Sequence, residues 1–495
     1  MRRLTRQQKP DRKEGLNAKD FLALPYGQAS EKQSRMTTAN KIAFILLCTA
    51  LVFTTVVYGG VHQPVLAVFY VLVTLAGIAW AIDCLNAGRL NFSTELMQIP
   101  LIGAAIYAFI QIFPFGKMAA TAGVEGIART ISLDPFATWS TAIHLTALIV
   151  FFGVMLAGLQ SVSRIRRIYT LLTVFGFLFA FFAILQGVLS PSKIYGIYDV
   201  GLGSPFGSFV NRNNFAAYME MTLALPLGLI FSGAVAKDKR LLFITAIALM
   251  GVALLLSGSR GGFVAFLAEI ILILFLTRQT ATRKSLIVRS GLIVLLVAAV
   301  IAGSVFVGGD SSLTRFAESA SSEDFTTDRA HIWSVTMSVI AANMPLGAGF
   351  GAYGVAYTPF DSLSGLLRVE QTHNDYLQVL ADAGIPGLLL GGLFLFLLFR
   401  YGVHSMKIEN TFRRGIALGA FAGCFAVLIH SIFDFVLHVT AVSLVFLTLL
   451  ALLSASQRSY KDDAYDDRRH RRKRRTSNRE MENPVGPKER QYLEQ

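Results

Sequence analysis

The sequence has few cysteines and lacks the common catalytic motifs. Its three cysteines, Cys48, Cys84 and Cys424, lie in or at the ends of apolar stretches, where they are predicted to pack as small apolar residues. A disulfide framework is therefore not expected. The chain contains no Walker sequence, no CxxC, HExxH or GxSxG, no dinucleotide fingerprint and no DxD pair. These absences argue against the enzyme classes that depend on those motifs, and we predict no cofactor and no metal site.

Charged residues are also scarce, at 15% of the chain against 54% hydrophobic residues, and the mean hydropathy is +0.54. Such a composition is typical of membrane proteins. A bilayer core about 30 Å thick is crossed by about 20 mostly apolar residues as a helix. Because every backbone N–H and C=O in lipid needs a partner within the protein, long apolar runs must be helices, and the short alternating segments of a membrane barrel are absent. The predicted fold class is an all-α polytopic membrane protein.

We predict about twelve transmembrane helices. Their approximate ranges are 42–60, 64–85, 97–115, 141–160, 168–189, 214–235, 240–257, 262–277, 287–307, 385–402, 412–431 and 436–454. A basic segment, 1–41, precedes them, and a polybasic segment that is predicted to be disordered, 455–495, follows them. Helices 1 to 9 then occupy 42–307 and helices 10 to 12 occupy 385–454, which leaves 308–384 as one large loop between helices 9 and 10.

The large loop is predicted to contain short helices. Its predicted parts are an acidic stretch at 308–328, a helix near 329–343, a glycine-rich turn at 345–354 and a second helix near 373–383. Thr372 is the predicted start signal of the second helix, and Gly384 before Pro386 is its predicted end.

Lysine and arginine indicate the orientation. Short loops rich in these residues remain in the cytoplasm. With the N-terminus inside, the predicted cytoplasmic loops are 86–96, 161–167, 236–239, 278–286 and 403–411, and lysine and arginine are concentrated in and beside them. The loops on the other side are longer in total and hold few cations. We therefore predict that both termini are cytoplasmic and that 308–384 lies outside the cytoplasm.

The net charge of +14 would by itself suggest a nucleic-acid partner. Most of the excess lies in the two terminal segments, including the run RRHRRKRR at 468–475. A basic cluster shortly after a membrane helix binds anionic lipid headgroups and helps to fix topology. We predict contact with membrane lipids and not with nucleic acid; a nucleic-acid or protein partner is the less favoured alternative.

Four short polar motifs fall on the predicted outer side. They are GSFVNRNNFAAY at 207–218, SGSRGG at 257–262, TTDRAHIW at 326–333 and EQTHNDYLQVLADAGIPG at 370–387. Arg260 is flanked by glycines, which would let a ligand approach the backbone, and a guanidinium suits phosphate oxygens. The alternative is an interfacial arginine that reaches lipid headgroups. Arg212, at a helix N-terminus, and Arg329 are candidates for further phosphate contacts or for structural salt bridges.

Histidine and aspartate side chains occur on the same side. His373 stands at the start of a helix that adjoins the membrane, and a histidine can take a proton from a hydroxyl near neutral pH. A structural or solvated histidine is the alternative, and Asp375 is predicted to cap the helix. His430, Asp434 and His438, spaced by four residues, are predicted to share one helix face. We favour a hydrogen-bonded structural or acceptor-site cluster there over a metal site.

Two carboxylates lie inside predicted membrane helices. Glu220 falls in predicted helix 6 and Glu269 in predicted helix 8. An ionisable side chain within a membrane is costly unless it is paired. We therefore expect either one to pair with an arginine of a neighbouring helix.

Together the motifs resemble those of a known family. The pattern N-x-N-x-F at 211–215, SxSRGG, an arginine before a tryptophan in the large loop, and HNDYL with GIPG before helix 10 are similar to the motifs of the O-antigen ligase-related superfamily. ISLDP at 131–135 and HSIFDF at 430–435 are also similar. The superfamily holds bacterial O-antigen ligases, O-antigen and exopolysaccharide polymerases, and protein O-oligosaccharyltransferases. The resemblance covers about 100–440 and is strongest between 205 and 390.

The resemblance implies a GT-C-like membrane scaffold and a metal-independent, inverting glycosyl transfer. It implies a donor glycan on undecaprenyl diphosphate, a lipid or glycan acceptor, and a site on the periplasmic face of the bacterial inner membrane. Arg260 and Arg329 match the positions that bind the donor diphosphate. His373 matches the residue that activates or orients the acceptor hydroxyl, and Arg212 occupies the site after Asn211 at which the family varies.

Five further residues are candidates for acceptor-site or structural contacts: Asn211, Asn374, Tyr376, His430 and Asp434. The expected activity is that of an O-antigen ligase, and a polymerase of O-antigen or exopolysaccharide repeats is the alternative. A flippase or exporter of lipid-linked glycans is less favoured, because few charges lie within the predicted spans. A purely structural membrane partner would leave four polar motifs on one side unexplained.

Overall fold

The structure, a computed structural model, describes residues 37–116, 129–201, 203–278, 291, 324–362 and 368–458. The helices and strands in chain order are α1 (Thr38–Val56), α2 (Gln63–Ala87), α3 (Ile99–Gln111), α4 (Pro135–Gly158), α5 (Val162–Leu189), β1 (Lys193–Ile194), β2 (Tyr198–Asp199), α6 (Arg212–Ser232), α7 (Arg240–Leu256), α8 (Arg260–Thr277), α9 (Asp324–Asn343), α10 (Tyr353–Tyr357), α11 (Asp375–Ser405), α12 (Thr411–His430) and α13 (Thr440–Gln457). Short 3-10 turns occupy Tyr58–Gly60, Leu96–Gln98, Lys237–Lys239, Thr358–Phe360 and Val436–His438. The two strands form a small antiparallel hairpin.

Some predicted segments lie outside the described residues. They are nearly all of the predicted terminal segments, including the basic run 468–475, nearly all of the predicted span 287–307, and most of the acidic stretch 308–328. The predictions for these segments, and the division of the chain that depends on them, stay predictions.

Ten of the described helices are long and apolar enough to cross a bilayer. They are α1, α2, α4, α5, α6, α7 with the turn before it, α8, α11, α12 and α13, and they correspond to ten of the twelve predicted spans. The predicted span 97–115 is a shorter apolar helix, Leu96–Gln111. The all-α polytopic membrane fold is thus confirmed, whereas the count of twelve, the GT-C-like arrangement and the extent of the large loop stay predictions.

Helices α6, α12 and α13 form the centre of the bundle. In the most apolar window of each, 89%, 72% and 94% of residues are buried inside the protein, compared with 28% for the peripheral α2. A helix that is buried on all sides must be apolar on all sides, so the central helices lack the polar stripe of a surface helix. The predicted packing role of Cys424 fits this centre, since that cysteine is free and fully buried in α12.

Glycines allow α6 and α12 to lie in backbone contact. Gly415, Gly419 and Gly423 recur every four residues along α12 and face α6. A Cβ atom at Gly419 would lie 2.5 Å from the carbonyl oxygen of Ala224, and one at Gly228 would lie 2.7 Å from the Cα atom of Gly419. Small residues at this spacing let membrane helices approach closely, which strengthens dispersion contacts that lipid cannot replace.

We expect Gly419→Ala to destabilise the bundle, because the new methyl group overlaps the α6 backbone. Overpacking of this kind typically costs about 1–3 kcal/mol. Gly391→Ala in α11 is the matched control, since an added Cβ there meets nothing within 4 Å and alanine favours a helix by about 1 kcal/mol over glycine. The midpoint of thermal unfolding of the purified protein should fall for Gly419→Ala and stay level or rise for Gly391→Ala. Equal midpoints for the two variants would contradict the packing argument.

The two ends of the bundle differ in their polar contacts. At one end, the buried Arg164 donates to Asn40 Oδ1 at 2.8 Å, and Asn40 donates to Asp83 Oδ2 at 2.9 Å. Arg458 donates at the same end to the carboxylate of Glu95 at 3.3 Å. These residues belong to or border the segments that the sequence predicts to be cytoplasmic. The opposite end carries the described parts of the four polar motifs.

The start of α11 differs from the sequence prediction. The predicted helix near 373–383 and the predicted tenth span form one element, Asp375–Ser405, with a break at Gly384, whose φ of 54° and ψ of −140° are not helical. The helix continues past Pro386. The predicted start signal Thr372 is wrong, because Asn374 is the N-cap and accepts from the backbone N–H groups of Tyr376 and Leu377.

The glycine-rich turn at 345–354 holds this break in place. A Cβ atom at Gly384 would overlap the carbonyl group of Pro345 and would lie 2.8 Å from the nitrogen of Gly347. On its other side the turn meets the ISLDP segment, where Leu133 N donates to Ala348 O at 2.9 Å. Asp134 in that segment caps α4 by accepting from Ala137 N. These glycines therefore serve close packing between the large loop, α4 and α11.

Candidate active site

His373 lies in a strained backbone conformation at the start of α11. Its φ of 52° is in the left-handed region, which residues other than glycine rarely adopt. The next residue is the N-cap Asn374, whose N–H is held by Thr372 Oγ1 at 3.1 Å. Backbone strain persists only where surrounding contacts compensate for it, and it is found preferentially at functional sites.

The imidazole of His373 is oriented by Asp434. His373 Nδ1 lies 3.1 Å from Asp434 Oδ1, and the ring meets Phe435 edge-on with 4.9 Å between centroids. Because an ionised carboxylate only accepts, Nδ1 donates, and the neutral ring keeps its lone pair on Nε2. The His373 side chain is 31% exposed and that of Asp434 only 1%. A substrate can therefore reach the imidazole but not the carboxylate.

Asp434 connects three segments of the chain. Besides His373, it accepts from Asn213 Nδ2, from the backbone N–H of Phe435 at 2.9 Å and from Arg329 at 3.4 Å. Burial alone would raise the pKa of Asp434, but the hydrogen bond and charge of His373 and the charge of Arg329 outweigh it and lower that pKa to about 2. Asp434 is consequently an anion at neutral pH.

Arg329 projects from α9 to the same place. It donates to the carbonyl oxygen of Phe433 as well as to Asp434, and its side chain is 22% exposed. Its charge also interacts with that of Arg260. Arg329 therefore contributes both to a structural ion pair and to the electrostatic field at the end of the bundle.

Arg260 is the first residue of α8, and Arg212 is the first residue of α6. Ser259 caps α8 ahead of Arg260 by accepting from Gly262 N at 3.1 Å, and Asn211 caps α6 ahead of Arg212. The Arg212 guanidinium lies beside the turn that precedes Arg260. A Cβ atom added at Gly258 in that turn would lie 3.5 Å from Arg212 Nη1. The structure thus gathers the three predicted arginines at the end of the bundle that holds His373.

The glycines after Arg260 do not provide space for a ligand, contrary to the sequence prediction. A Cβ at Gly261 would lie 2.8 Å from the ring of His430, and one at Gly262 would lie 2.7 Å from Ala216 Cβ. Their missing side chains let α8 pack against α12 and α6. The predicted ligand approach to the backbone at these two glycines is therefore wrong, because protein atoms fill the space.

His430 lies beneath the start of α8. Its Nδ1 is 2.9 Å from Glu220 Oε1, and its Nε2 is 3.4 Å from Ser259 Oγ, with all three side chains buried. The expected pairing of Glu220 with an arginine is wrong, since its partner is a histidine of α12. For Glu269, which is also fully buried, no hydrogen-bond partner occurs among the described residues.

His430, Asp434 and His438 do not share a helix face, so that prediction is also wrong. Helix α12 ends at His430, Asp434 lies in the following turn, and His438 closes a 3-10 turn. Each has different polar partners: His430 contacts Glu220, Asp434 contacts His373 and Arg329, and His438 contacts Asp375 at 2.9 Å. Among the residues that the structure describes, no group of three or more His, Cys, Asp or Glu side chains is arranged to hold a metal ion.

The residues after His373 bind the start of α11 to the last turn of α12 and to the segment that follows it. Asn374 Nδ2 donates to Ile432 O at 3.0 Å, and Tyr376 OH donates to Leu428 O at 2.8 Å. Asp375 accepts from Ser431 Oγ at 2.7 Å and pairs with His438. Asp375 is therefore not the helix cap that the sequence predicts. Asn374 and Tyr376 are candidates for acceptor-site or structural contacts, and in the structure both make structural hydrogen bonds.

Sequence reasoning missed Asn213, Glu220 and Asp375 as parts of this arrangement. Asn213 belongs to the N-x-N-x-F pattern and Asp375 to HNDYL. The motifs therefore include both residues but do not indicate which side chains they bind. For Glu220 the sequence predicts an arginine partner and gives no sign of His430.

Comparison with known families matches the middle of the chain. Residues 245–391 match the family model Wzy_C, O-antigen ligase. The match supports the predicted resemblance to the O-antigen ligase-related family over these residues. The match extends from α7 into the first half of α11, so it includes Arg260, Arg329 and His373 but not Asp434. No curated protein matches the chain.

The O-antigen ligase match supports a ligase- or polymerase-like function in polysaccharide biosynthesis, acting on lipid-linked glycans. The apolar helices agree with a multi-pass membrane protein. An O-antigen ligase-like domain thus contributes the two arginines and the histidine, and α6 and the segment after α12 supply their supports.

The ion pair of His438 with Asp375 should make stability depend on pH. Burial would lower the pKa of His438, but the hydrogen bond and charge of Asp375 and the charge of Asp382 raise it above its ordinary value of 6.5. A raised histidine pKa contributes stability that is complete below about pH 6.5 and is lost as pH rises through the folded-state pKa. The difference in unfolding midpoint between wild type and His438→Gln should therefore be larger at pH 5.5 than at pH 9. A difference that grows with pH would refute the sign.

Proposed function

We propose that this protein transfers a glycan from undecaprenyl diphosphate to an acceptor hydroxyl at the periplasmic face of the bacterial inner membrane, in the synthesis of a cell-surface polysaccharide. The observation that carries the proposal is the juxtaposition of the oriented, accessible His373 with arginines at one end of a membrane bundle. The match of this region to an O-antigen ligase family supports the same function.

Arg260 and Arg212 are proposed to bind the donor diphosphate. Each begins a helix, where the helix dipole and the first backbone N–H groups favour anions. A guanidinium offers a planar fork that matches two phosphate oxygens. The charge of Arg329 adds to this field, although part of its guanidinium is bonded to Asp434 and Phe433. Binding at helix ends suits a lipid diphosphate, whose phosphates lie at headgroup depth.

The arginines would also assist departure of the leaving group. When the bond between the anomeric carbon and the diphosphate oxygen breaks, negative charge develops on that oxygen, and preorganised cations there stabilise the transition state. This is the role that a divalent ion takes in other enzymes. The proposed transfer is therefore metal-independent, and attack from the face opposite the diphosphate inverts the anomeric centre.

His373 is proposed to be the base. As the acceptor oxygen bonds to the anomeric carbon, its proton passes to Nε2 of His373, whose Nδ1–H is held by Asp434. The anionic Asp434 stabilises the resulting imidazolium, as the buried aspartate does in other histidine-based sites. Asp434 acts through His373 and is a positioning residue in this scheme.

The charge distribution supports the proposed orientation. The described segments rich in lysine and arginine, 161–167, 236–239 and 403–411, lie at the end of the bundle opposite His373, and such segments remain in the cytoplasm. We propose that both termini are cytoplasmic and that the polybasic run at 468–475 contacts the lipid headgroups of the cytoplasmic leaflet.

A polymerase is the alternative within this proposal, because the family match fits both activities. A ligase passes the glycan to lipid A core, whereas a polymerase passes it to another lipid-linked repeat. Complementation of strains that lack either a ligase or a polymerase distinguishes the two.

Removal of the proposed base should abolish most transfer. His373→Ala and His373→Gln are both expected to lower the rate of transfer by about 10²–10⁴-fold. Alanine removes the imidazole, and glutamine keeps a hydrogen-bonding group but accepts no proton at neutral pH. Donor binding should persist in both, since the arginines contact the diphosphate. Transfer in isolated membranes, normalised to protein level, measures the effect.

The His331–Asp361 pair offers a matched control for this experiment. Its atoms are 3.0 Å apart, and the His331 side chain is 30% exposed, close to the value for His373. His331→Ala should leave transfer near the wild-type rate. If His373→Gln retains most activity, His373 orients the acceptor and does not take its proton. If His373→Ala also retains activity, the proposed site is wrong.

Changes at Arg260 test the phosphate site. Arg260→Lys keeps the charge and loses the fork, whereas Arg260→Ala loses both, so we expect reduced transfer in each and a loss of about 10²-fold or more for alanine. The control is Arg368→Ala, since that side chain is 69% exposed and its ion-pair partner among the described residues is an exposed glutamate. EDTA should leave the wild-type rate unchanged. Full activity of Arg260→Ala, or loss in EDTA that a divalent ion restores, would count against the mechanism.

A further inference from the structure

A cavity lined by several polar side chains lies at the end of the bundle opposite the candidate active site. It has a volume of about 300 Å³. Arg400 and His404 from the last turns of α11, Ser454 and Arg458 from the end of α13, and Glu95 from the segment before α3 line it. This is the end at which the sequence predicts the cytoplasmic loops.

The wall of the cavity is fixed by ion pairs and hydrogen bonds. Arg458 binds the Glu95 carboxylate at 3.3 Å and Ser93 Oγ at 2.9 Å, and Tyr401 OH donates to Glu95 Oε2 at 2.8 Å. Gln457 Nε2, at the end of α13, donates a hydrogen bond to the carbonyl oxygen of Tyr401 in α11. Arg458 and Glu95 neutralise one another, so the positive charge of Arg400 dominates the cavity.

Three side chains of the cavity that can donate hydrogen bonds have no acceptor among the residues that the structure describes. Arg400 and His404 are exposed and lie on one face of α11, four residues apart, and their side chains make no hydrogen bond or ion pair with any described residue. Ser454 is 1% exposed, and its buried hydroxyl has no partner among the described residues. A buried polar group without a partner is costly, so it marks a place where a ligand atom can bind. A guanidinium, an imidazole and a hydroxyl together suit the oxygens of a phosphate.

An apolar surface on α11 continues from this cavity. Phe396, Phe399 and Val403 are 60%, 40% and 56% exposed, and Leu96 on the facing segment is 44% exposed. On a helix that crosses a bilayer, such side chains contact acyl chains. A phosphate group in the cavity and hydrocarbon along this surface are the two parts of a phospholipid.

We propose that this cavity binds the phosphate headgroup of an anionic glycerophospholipid, with its acyl chains along the exposed apolar face of α11. Arg400 binds the phosphate, and His404 and Ser454 donate further hydrogen bonds. Basic pockets between membrane helices on the cytoplasmic side bind anionic headgroups in this way. The site is independent of the proposed transfer reaction.

Purified full-length protein in lipid nanodiscs tests the proposal. Discs of phosphatidylcholine alone are compared with discs that also contain phosphatidylglycerol, and the unfolding midpoint and the lipids retained in native mass spectrometry are measured. The wild-type protein should unfold at a higher midpoint in discs that contain phosphatidylglycerol, and it should retain phosphatidylglycerol in native mass spectrometry. Arg400→Gln should weaken retention by about tenfold or more, the usual effect of losing a charge-assisted hydrogen bond. Ser454→Ala should weaken it less, and Arg400→Lys should preserve part of it.

Arg89→Gln is the control. Arg89 is an exposed cation at the same end of the bundle, and it does not line this cavity. It should respond to phosphatidylglycerol as wild type does. An equal response of Arg400→Gln and wild type would overturn the proposal. Stabilisation by inorganic phosphate in phosphatidylcholine discs, to the level that phosphatidylglycerol reaches, would assign the cavity to free phosphate and would also overturn it.

Discussion

Backbone contact between α6 and α12 determines where the polar motifs of this protein meet. Lipid supplies no hydrophobic force between apolar helices, so such a contact rests on close packing, which the glycines of α12 permit. Residue Arg212 opens α6 and His430 ends α12 at the same end of the bundle. The packed pair therefore brings Asn213 within reach of Asp434 and Glu220 within reach of His430.

Buried carboxylates then convert the packed helices into an ordered site. Removing a carboxylate from water is costly unless donors surround it, and both Asp434 and Asp375 are almost fully buried. Asp434 collects donors from α6, α9 and the start of α11, while Asp375 holds the segment that follows α12. These bonds compensate for the left-handed backbone of His373 and leave its ring partly exposed. The same network explains why several motif residues that look catalytic in sequence make structural contacts.

The membrane class and most helices could be predicted because a lipid-facing helix must be apolar along about 20 residues. Details at helix ends could not be predicted, since several nearby residues compete for the same cap. Thr372 and Asn374 are both good caps, and the choice depends on Thr372 Oγ1 accepting from the Asn374 N–H, which leaves Asn374 to cap α11. The spacing of His430 and His438 suggested one helix face only because nothing in the sequence indicates that α12 ends at His430.

The sequence by itself determined the all-helical membrane class, the motifs and the family resemblance, because hydrophobic length and short local patterns are properties of neighbouring residues. Only the tertiary structure decided which polar groups pair. His373 and Asp434 are 61 residues apart, and Glu220 and His430 are 210 apart. Their pairing depends on which helices pack together and on how deeply each carboxylate is buried. Both depend on contacts between segments distant in sequence, which a pattern of neighbouring residues does not specify.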